Sequence, residues 1–429
     1  MIGVVADDIT GANDIGIMFA KSNYVTDVFP YDESISFSGS QPYADVVILD
    51  TNSRFDDSKT AYKKVYKATK ELQRGGVTHF YNKTCSVFRG NIGIEFDAML
   101  DALEEDFAIV VVGFPKNGRQ TIDGIHYVYG NRLENSEFRN DPMHPMNDSS
   151  LIDILKAQTK RKVGSIHYNV IQKGHKALQL ELTKIKKQCN YVILDVTTQD
   201  DLITIAKATK DVKVFCGSSA LAEELPKTWS EEKNKSRVSL NLPRLPARKG
   251  MFSVAGSLMP QTANQIEYLR EKGMKIKELR TLHLIEAQEQ TSFIQALLSD
   301  IMTNLNDGSD VLLHTSNDKE TVKQTKESAL KKGVSNKELS QFISRTLADI
   351  TATVLHETGQ NRLLVAGGDT SAAVCSKINI RGMRVWKEIE PGLPSCISLS
   401  EPPLLLVLKS GSFGKPNFFE QAITHLKSE

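Results

Sequence analysis

Several stretches of this chain place polar or charged side chains directly after a short apolar run, where open α/β sheets collect their ligands. The first is ADDITGAND, Ala6 to Asp14, in which Asp7 and Asp8 follow the run and Thr10 and Gly11 open a helical pattern. One aspartate of such a pair serves to cap the helix. Two in succession leave a carboxylate for other work: binding a substrate hydroxyl, acting as a general base or holding a metal. DTNSRF, Asp50 to Phe55, adds Arg54, whose guanidinium can fork a carboxylate. NKTCSVFRGN, Asn82 to Asn91, gathers Lys83, Ser86 and Arg89 in one loop, and Gly90 permits close backbone approach to a ligand. Two cations and a hydroxyl in one loop favour an anion site over a solvated charge cluster.

The second half carries a different chemistry. VAGSLMPQT (Val254 to Thr262), LLVAGGDTS (Leu363 to Ser371) and LVLKSGSFGKP (Leu406 to Pro416) each run from a strand pattern into Gly with Ser or Thr. Turns of this kind aim free backbone N–H groups at a phosphate. Three of them in one half point to a nucleotide pocket. Its type is neither of two familiar ones. Gly414 and Lys415 are followed by Pro416 and lack a glycine five positions before Gly414, so there is no Walker loop. A GxGxxG fingerprint is also missing, which disfavours a dinucleotide-dependent dehydrogenase.

Between these halves of the chemistry, Phe114 to Met146 follows a strongly apolar run and has neither helical nor strand periodicity. A loop of this length inside a compact domain is usually functional. Its histidines, His126 and His144, have no partner at metal-ligand spacing, so a hydrogen-bonding role is preferred and no metal ligands are assigned.

These turns need strands to carry them. The pattern predicts strands at Ile2 to Ala6, Ala44 to Asp50, Val77 to Asn82, Phe107 to Gly113, Tyr191 to Val196 and Val212 to Cys216, with helices such as Ser58 to Arg74, Ile92 to Glu104 and His175 to Gln188 between them. Lys227 to Lys249 is charged, holds two prolines and has no period that buries a face, as a linker would. A second series follows, with strands near Met251 to Ala255, Met274 to Glu278, Asp310 to Thr315, Arg362 to Ala366 and Leu404 to Leu408. Its helix over Asn336 to Thr358 sets Leu339, Phe342, Ile343, Leu347, Ile350 and Val354 on one stripe, expected to be buried. The fold class is α/β: two domains, 1–226 and 250–429, each with a mostly parallel sheet flanked by helices.

Composition removes several classes of function. Lys plus Arg total 53 against 52 for Asp plus Glu, a net charge of +1, so no global field holds a nucleic acid. The apolar runs fall far short of the ~20 residues that span a bilayer, and no membrane partner is expected. MIGVVADDIT has no basic segment before its apolar residues and is read as a strand, not a signal peptide. The five cysteines, Cys85, Cys189, Cys216, Cys375 and Cys396, show no CxxC spacing and are read as reduced thiols in a cytoplasmic protein.

Taken in order, the motifs resemble those of the four-carbon acid sugar kinases: ADDITGA at Ala6 to Ala12, Lys83 to Asn91, GRQTIDGIHYV at Gly118 to Val128, DPMHP at Asp141 to Pro145, AGS at Ala255 to Ser257, GGDTS at Gly367 to Ser371, EIEPGLP at Glu388 to Pro394 and LKSGSFG at Leu408 to Gly414. The resemblance extends over nearly the whole chain. It implies an N-terminal domain that binds the acid sugar, a C-terminal domain that binds ATP, and catalysis in the cleft between them. It places Asp7, Asp8, Arg54, Lys83, Ser86 and Arg89 toward the substrate, with Asp8 as the catalytic residue. Ser257, Gly367, Gly368, Asp369, Thr370 and Gly411 would hold the nucleotide. Family members usually read Asp-Ser-Thr where this chain has Cys85, Ser86 and Val87, and a small residue in place of Trp386.

The expected reaction is transfer of the γ-phosphoryl group of ATP, with Mg²⁺, to the terminal hydroxyl of threonate, erythronate or a 3-oxo-tetronate. Phosphoryl transfer asks mainly for positioning and charge neutralisation. The expected partners are therefore the sugar acid and ATP, and a homodimer is compatible with the sequence. The alternative from another class is a non-catalytic nucleotide- or metabolite-binding protein with the same fold.

Overall fold

The computed structural model of the chain describes residues 1–37, 44–141, 143–229, 250–286 and 290–429. It divides into two compact units, Met1–Ser236 and Arg237–Glu429. Most of the stretch read as a linker, residues 230–249, lies outside the described residues.

The first unit is built on β1 (Ile2–Ala6), β2 (Thr26–Pro30), β3 (Val46–Asp50), β4 (His79–Lys83), β5 (Ala108–Val111), β6 (Arg119–Ile122), β7 (Ile125–Val128), β8 (Asn131–Arg132), β9 (Val163–Ile166), β10 (Tyr191–Leu194) and β11 (Val214–Gly217). Its helices are α1 (Ile9–Ala20), α2 (Ser58–Arg74), α3 (Ile92–Leu103), α4 (Leu151–Lys156), α5 (Tyr168–Ile171), α6 (His175–Ile185) and α7 (Gln199–Ala208). The main sheet runs β2-β3-β1-β4-β11-β5-β10-β9, and its pairs are parallel. Its central strands β1, β3, β5 and β10 are buried along their whole length, as expected of a sheet covered on both faces. On α2, Ala61, Val65, Ala68 and Leu72 form the buried stripe, and Asp57 caps the first turn by accepting the Thr60 N–H at 3.0 Å.

In this unit β2 and β9 were not anticipated from sequence, and Phe114 to Met146 is not without strands. It contains an antiparallel sheet, β6-β7-β8, whose register pairs Arg119 with Val128 and Ile122 with Ile125. The alternation is present, but the inward side chains include the polar Thr121 and His126, both fully buried, so hydropathy conceals it. The legible signal is in the turns. Asp123-Gly124 and Tyr129-Gly130 each have positive φ at both residues, 51° and 75°, then 47° and 80°, the conformation of two-residue hairpin loops.

The second unit comprises β12 (Phe252–Ala255), β13 (Lys275–Leu279), β14 (Val311–Thr315), β15 (Arg362–Ala366), β16 (Met383–Glu390), β17 (Leu393–Ser398) and β18 (Leu405–Lys409). Its helices are α8 (Pro260–Glu271), α9 (Thr281–Glu286), α10 (Gln290–Asn306), α11 (Lys319–Lys331), α12 (Asn336–Thr358), α13 (Gly368–Lys377) and α14 (Phe418–Ser428). The sheet runs β13-β14-β12-β15-β18-β17-β16, parallel as far as β18 and antiparallel beyond. Pro391-Gly392, inside the EIEPGLP motif, is the hairpin turn between β16 and β17, with Gly392 at φ 76°. On α12 the buried stripe is Leu339, Leu347, Ile350 and Val354; Phe342, expected among them, sits at the stripe's edge and is 36% exposed.

Candidate functional site

In both units the chain starts on an inner strand, goes to the far strand on one side, fills the place between, then crosses to the other side. In the first, β2 and β3 lie on one side of β1 and β4 on the other. In the second, β13 and β14 lie on one side of β12 and β15 on the other. Each reversal leaves a crevice at the carboxyl ends of two adjacent parallel strands, the topological switch point at which such sheets bind ligands. The residues singled out from sequence, Asp369 excepted, lie at or beside these two places.

At the first, register brings the strand ends flush: Ala6 pairs with Asp50 on one side and Lys83 on the other, and Lys83 pairs with Gly217. Asp8 caps α1, its Oδ1 accepting the Gly11 N–H at 2.7 Å and its Oδ2 the Thr10 hydroxyl at 3.1 Å. Arg54 donates from Nε and Nη2 to the two oxygens of Asp7, at 2.8 and 2.7 Å, and from Nη1 to Asp8 Oδ2 at 2.5 Å. The guanidinium read as a substrate fork is thus turned to the chain's own aspartates, and Asp7 is spent on it. Burial works to lower the Arg54 pKa, but Asp7 and Asp8 outweigh it and hold it well above the usual value. Burial likewise works to raise the Asp8 pKa; Arg54, Lys83 and the Gly11 N–H prevail and keep it below the ordinary carboxylate range.

Lys83 is buried beside them, its Nζ 3.4 Å from Asp14 Oδ2 and donating to the Thr84 carbonyl at 3.0 Å. Gly11 makes room for it: a Cβ there would stand 3.1 Å from Lys83 Nζ and 2.6 Å from Asp8 Oδ1. Asp14 also accepts from the Ser219 hydroxyl at 2.8 Å, and burial pushes its pKa up to about 6 against Lys83 and that hydrogen bond. Sequence reasoning missed Asp14 and Ser219. Gly217-Ser218-Ser219, at the end of β11, has the same Gly and Ser signature that was recognised in the second half.

The loop after β4 is held from outside. His126 donates Nε2–H to the Ser86 carbonyl at 2.9 Å, and its Nδ1 faces the Thr121 hydroxyl at 3.2 Å. Burial lowers the His126 pKa to about 3, so the ring is neutral. The Ser86 side chain is buried, and Val87, part of the departure from the family pattern, points wholly into the core. Arg89 pairs with Asp141 and lies 5.8 Å from the centroids of both Phe55 and Phe138, with His144 stacked on Phe55 at 5.5 Å. Arg89 Nε has no hydrogen-bond partner among the described residues. Gly90, at φ 116°, lets this loop lie on Arg54, whose Cγ would be 2.9 Å from a Cβ at that position. Asn52 and Phe88 hold positive φ, 45° and 60°, one in each flanking loop. Such strain gathers at ligand sites.

Two further acids underlie the site. Burial, with Asp8 and Asp7 adding to it, pushes the Asp50 pKa up to about 7, against the Asn52 N–H that its Oδ1 accepts at 2.9 Å. Glu95 accepts from the Ser53 hydroxyl at 2.7 Å and is pushed well above the usual range by burial and Asp7. Away from this cluster, Asp123, His167 and Asp195 bring ligand-type atoms within 4.8 Å of one another. Asp195 is already committed, accepting the N–H groups of Asp123, Gly124 and Tyr168 at 2.7, 3.0 and 3.0 Å; it fastens the β6–β7 turn to the start of α5.

At the second switch point three turns meet after β12, β15 and β18, adjacent parallel strands. Gly367, at φ 119°, is packed so that a Cβ would lie 3.2 Å from both the Ser257 nitrogen and Thr370 Oγ1. A side chain on Gly256 would collide with Thr370, and one on Gly411 with the Ser257 hydroxyl. Ser257, Gly367, Thr370 and Gly411 are therefore mutual neighbours, and Gly368 opens α13 beside them. Asp369 stands apart: it is exposed, with the Ser340 hydroxyl 3.4 Å from its Oδ2. Sequence reasoning passed over Lys409, Thr262 and Gln265, which hold this crevice from beneath; Gln265 donates to the carbonyls of Phe413 and Lys415 at 3.1 and 3.0 Å.

Fold and sites together define a two-unit α/β protein with one switch-point site lined by aspartates and cations and another made of small-residue turns. Residues 2–225 match the model of a sugar-binding N-terminal domain and residues 252–419 that of a nucleotide-binding C-terminal domain. The chain is 30% identical to a 3-oxo-tetronate kinase of Pectobacterium atrosepticum and 29% identical to one of Haemophilus influenzae, covering 98% of this chain in both cases and 98% and 99% of theirs. Among solved structures, a Salmonella typhimurium LT2 protein provisionally called a tRNA synthase aligns with a TM-score of 0.79 at 25% identity, over 99% of each chain. A Haemophilus influenzae protein aligns with a TM-score of 0.70 at 29% identity, over 99% of this chain and 100% of that one. The chain belongs to the four-carbon acid sugar kinase family, and is an enzyme of the kinase class. Among the described residues, no helix is long and apolar enough to cross a membrane, and the five cysteines are free.

Proposed function

We propose that the protein transfers the γ-phosphoryl group of ATP to the terminal hydroxyl of a four-carbon sugar acid, the class named by its 3-oxo-tetronate kinase relatives. The observation that supports this best is the pair of switch-point sites, one charged and one made of phosphate-type turns, each falling within the matching domain of the family. In this reading Arg89, whose Nε is unspent, holds the substrate carboxylate, and Ser86 lines the same loop. Lys83 lends positive charge from beneath. Arg54 acts by fixing Asp7 and Asp8, and Asp8 accepts a hydrogen bond from the attacking hydroxyl and orients it. A carboxylate held below its usual pKa is a weak base, and a loose phosphoryl transition state asks for little proton abstraction before bond breaking.

On the other unit, the close approach permitted by Gly256, Gly367 and Gly411 fits phosphate oxygens on backbone N–H groups, with Gly368 and Thr370 at the start of α13. Mg²⁺, when bound with the nucleotide, would neutralise charge on the transferring phosphoryl, and needs only one or two carboxylates from the protein.

The test is incubation with ATP, Mg²⁺ and a panel of four-carbon acids. Acid-dependent ADP release with a phosphorylated acid is expected. ATP binding without turnover on any acid would favour the non-catalytic reading, and reduction of added NAD⁺ or NADP⁺ with the same acids would favour a dehydrogenase.

A further inference from the structure

Lys409, the last residue of β18, is fully buried where the chain enters the Ser410-Gly411 turn. Its ammonium donates to Thr262 Oγ1 at 3.0 Å, to the Ser410 carbonyl at 2.8 Å and to the Gly411 carbonyl at 3.1 Å. Thr262 in turn donates to the Gly411 carbonyl at 2.8 Å, and the Lys409 carbonyl accepts the Gly367 N–H at 2.9 Å. One residue therefore ties together α8, the turn after β15 and the turn after β18.

In a trans peptide the N–H points away from the preceding C=O. An ammonium that draws the carbonyls of residues 410 and 411 inward therefore turns the N–H groups of Gly411 and Ser412 the other way. Neither N–H has a partner among the described residues. No ion pair is formed by Lys409 among the described residues, and a buried ammonium without a counter-ion is costly. The Glu390 carboxylate favours the ammonium from beyond ion-pair distance, and an anion bound above the turn would add to that.

We propose that Lys409 is a positioning residue of the nucleotide site, a buried cation that aims the Gly411 and Ser412 N–H groups at a phosphate and takes up a proton when that phosphate binds. This rests on the nucleotide reading given above. Burial lowers the Lys409 pKa to about 7, with the carboxylate of Glu390 opposing. The elements around the ammonium contribute few other charges. Glu390, at the end of β16, accepts the Lys415 N–H at 3.0 Å. From α8 come Thr262 and Gln265, both neutral; from α14 comes Phe419, its ring centroid 5.8 Å away, while Glu420 is taken up by the Tyr268 hydroxyl at 2.7 Å. A polyanion bound above would favour the charged ammonium and raise its pKa. Affinity should then be highest below about pH 7 and fall as pH rises toward the pKa of the complex, with net proton uptake over that interval.

Calorimetry of the full chain with Mg-ATP at pH 6 and pH 8, in buffers of different ionisation enthalpy, measures this uptake. The wild type should take up a proton at pH 8 and little at pH 6. Lys409→Arg keeps the charge and should lose the pH dependence, and subtracting its profile removes the nucleotide's own titration. Lys409→Met should bind at least tenfold more weakly at pH 6, with the unfolding transition of each variant recorded alongside. A wild type that binds Mg-ATP with the same uptake and pH profile as Lys409→Arg overturns the role of Lys409. A folded wild type that binds no nucleotide at either pH overturns the nucleotide reading itself, and this inference with it.

Discussion

Asp8 and Arg89 illustrate how differently two charged residues of one site are used. Asp8 accepts from Gly11, Thr10 and Arg54, which leaves about one of its four lone-pair sites for a ligand, whereas Arg89 keeps an unpaired Nε beside its contact with Asp141. Asp8→Asn preserves shape but removes the charge proposed to orient the hydroxyl. It should lower kcat by roughly 10²-fold with a smaller change in KM. Arg89→Ala would remove the proposed carboxylate contact, one made equally in ground and transition states, so KM should rise by on the order of tenfold or more with kcat largely kept. Steady-state kinetics with the sugar acid varied separates the two. Near-normal kcat in Asp8→Asn would move the orienting role elsewhere, and a fall in kcat at constant KM in Arg89→Ala would place Arg89 on the phosphoryl group. Asp50 makes a prediction of another kind. Its folded pKa, about 7, exceeds the ordinary 3.8, so the folded state binds more protons between those values and loses stability as pH rises through them. Asp50→Asn, which keeps an acceptor for the Asn52 N–H, should match the wild type near pH 4 and be more stable at pH 8, by up to ~4 kcal/mol. Equal destabilisation at both pH values would mean that Asp50 is ionised and stabilising.

The strand-to-helix turn is the element on which both sites are built, and Gly367 tests it. At φ 119°, with Ser257 nitrogen and Thr370 Oγ1 already at contact distance of a Cβ, the position admits no side chain without strain. Gly367→Val should weaken Mg-ATP binding at least tenfold and leave sugar-acid binding unchanged; equal loss of both ligands in a folded variant would count against a site formed by this turn. These turns were legible because β-branched runs ending in Gly, Ser, Asp or Lys mark them in sequence, and β1, α2, β15 and α12 have the bounds expected from their patterns. Strands β2, β6 to β9, β16 and β17 were not. β6 and β7 bury Thr121 and His126 rather than apolar residues, and β2 ends in Pro30 with only two apolar side chains, so neither presents a hydropathy period. Side-chain partners were the other limit. Arg54 was read as facing substrate because position after a strand gives direction, while its capture by Asp7 and Asp8 depends on register between β1 and β3.

At the scale of the whole molecule, each site is assembled by one unit from its own strand ends: β1, β3, β4 and β11 in the first, and β12, β15 and β18 in the second. Neither set borrows a strand from the other unit, so each ligand is offered a set of strand-end contacts by one unit alone. Calorimetry should find that the full chain binds a non-hydrolysable Mg-ATP analogue without any sugar acid. Saturating acid should change that affinity by no more than about threefold, a coupling below ~1 kcal/mol. The fragment 250–429, where it folds, should bind the analogue with similar affinity because it holds Ser257, Gly367, Gly368, Thr370, Lys409 and Gly411 together. By linkage the same small coupling must appear when acid is titrated with the analogue present, which makes the measurement self-checking. A chain that binds nucleotide only after acid has bound would show that part of the nucleotide's contact surface is formed by the acid or by the first unit, and the independence of the two sites would fall.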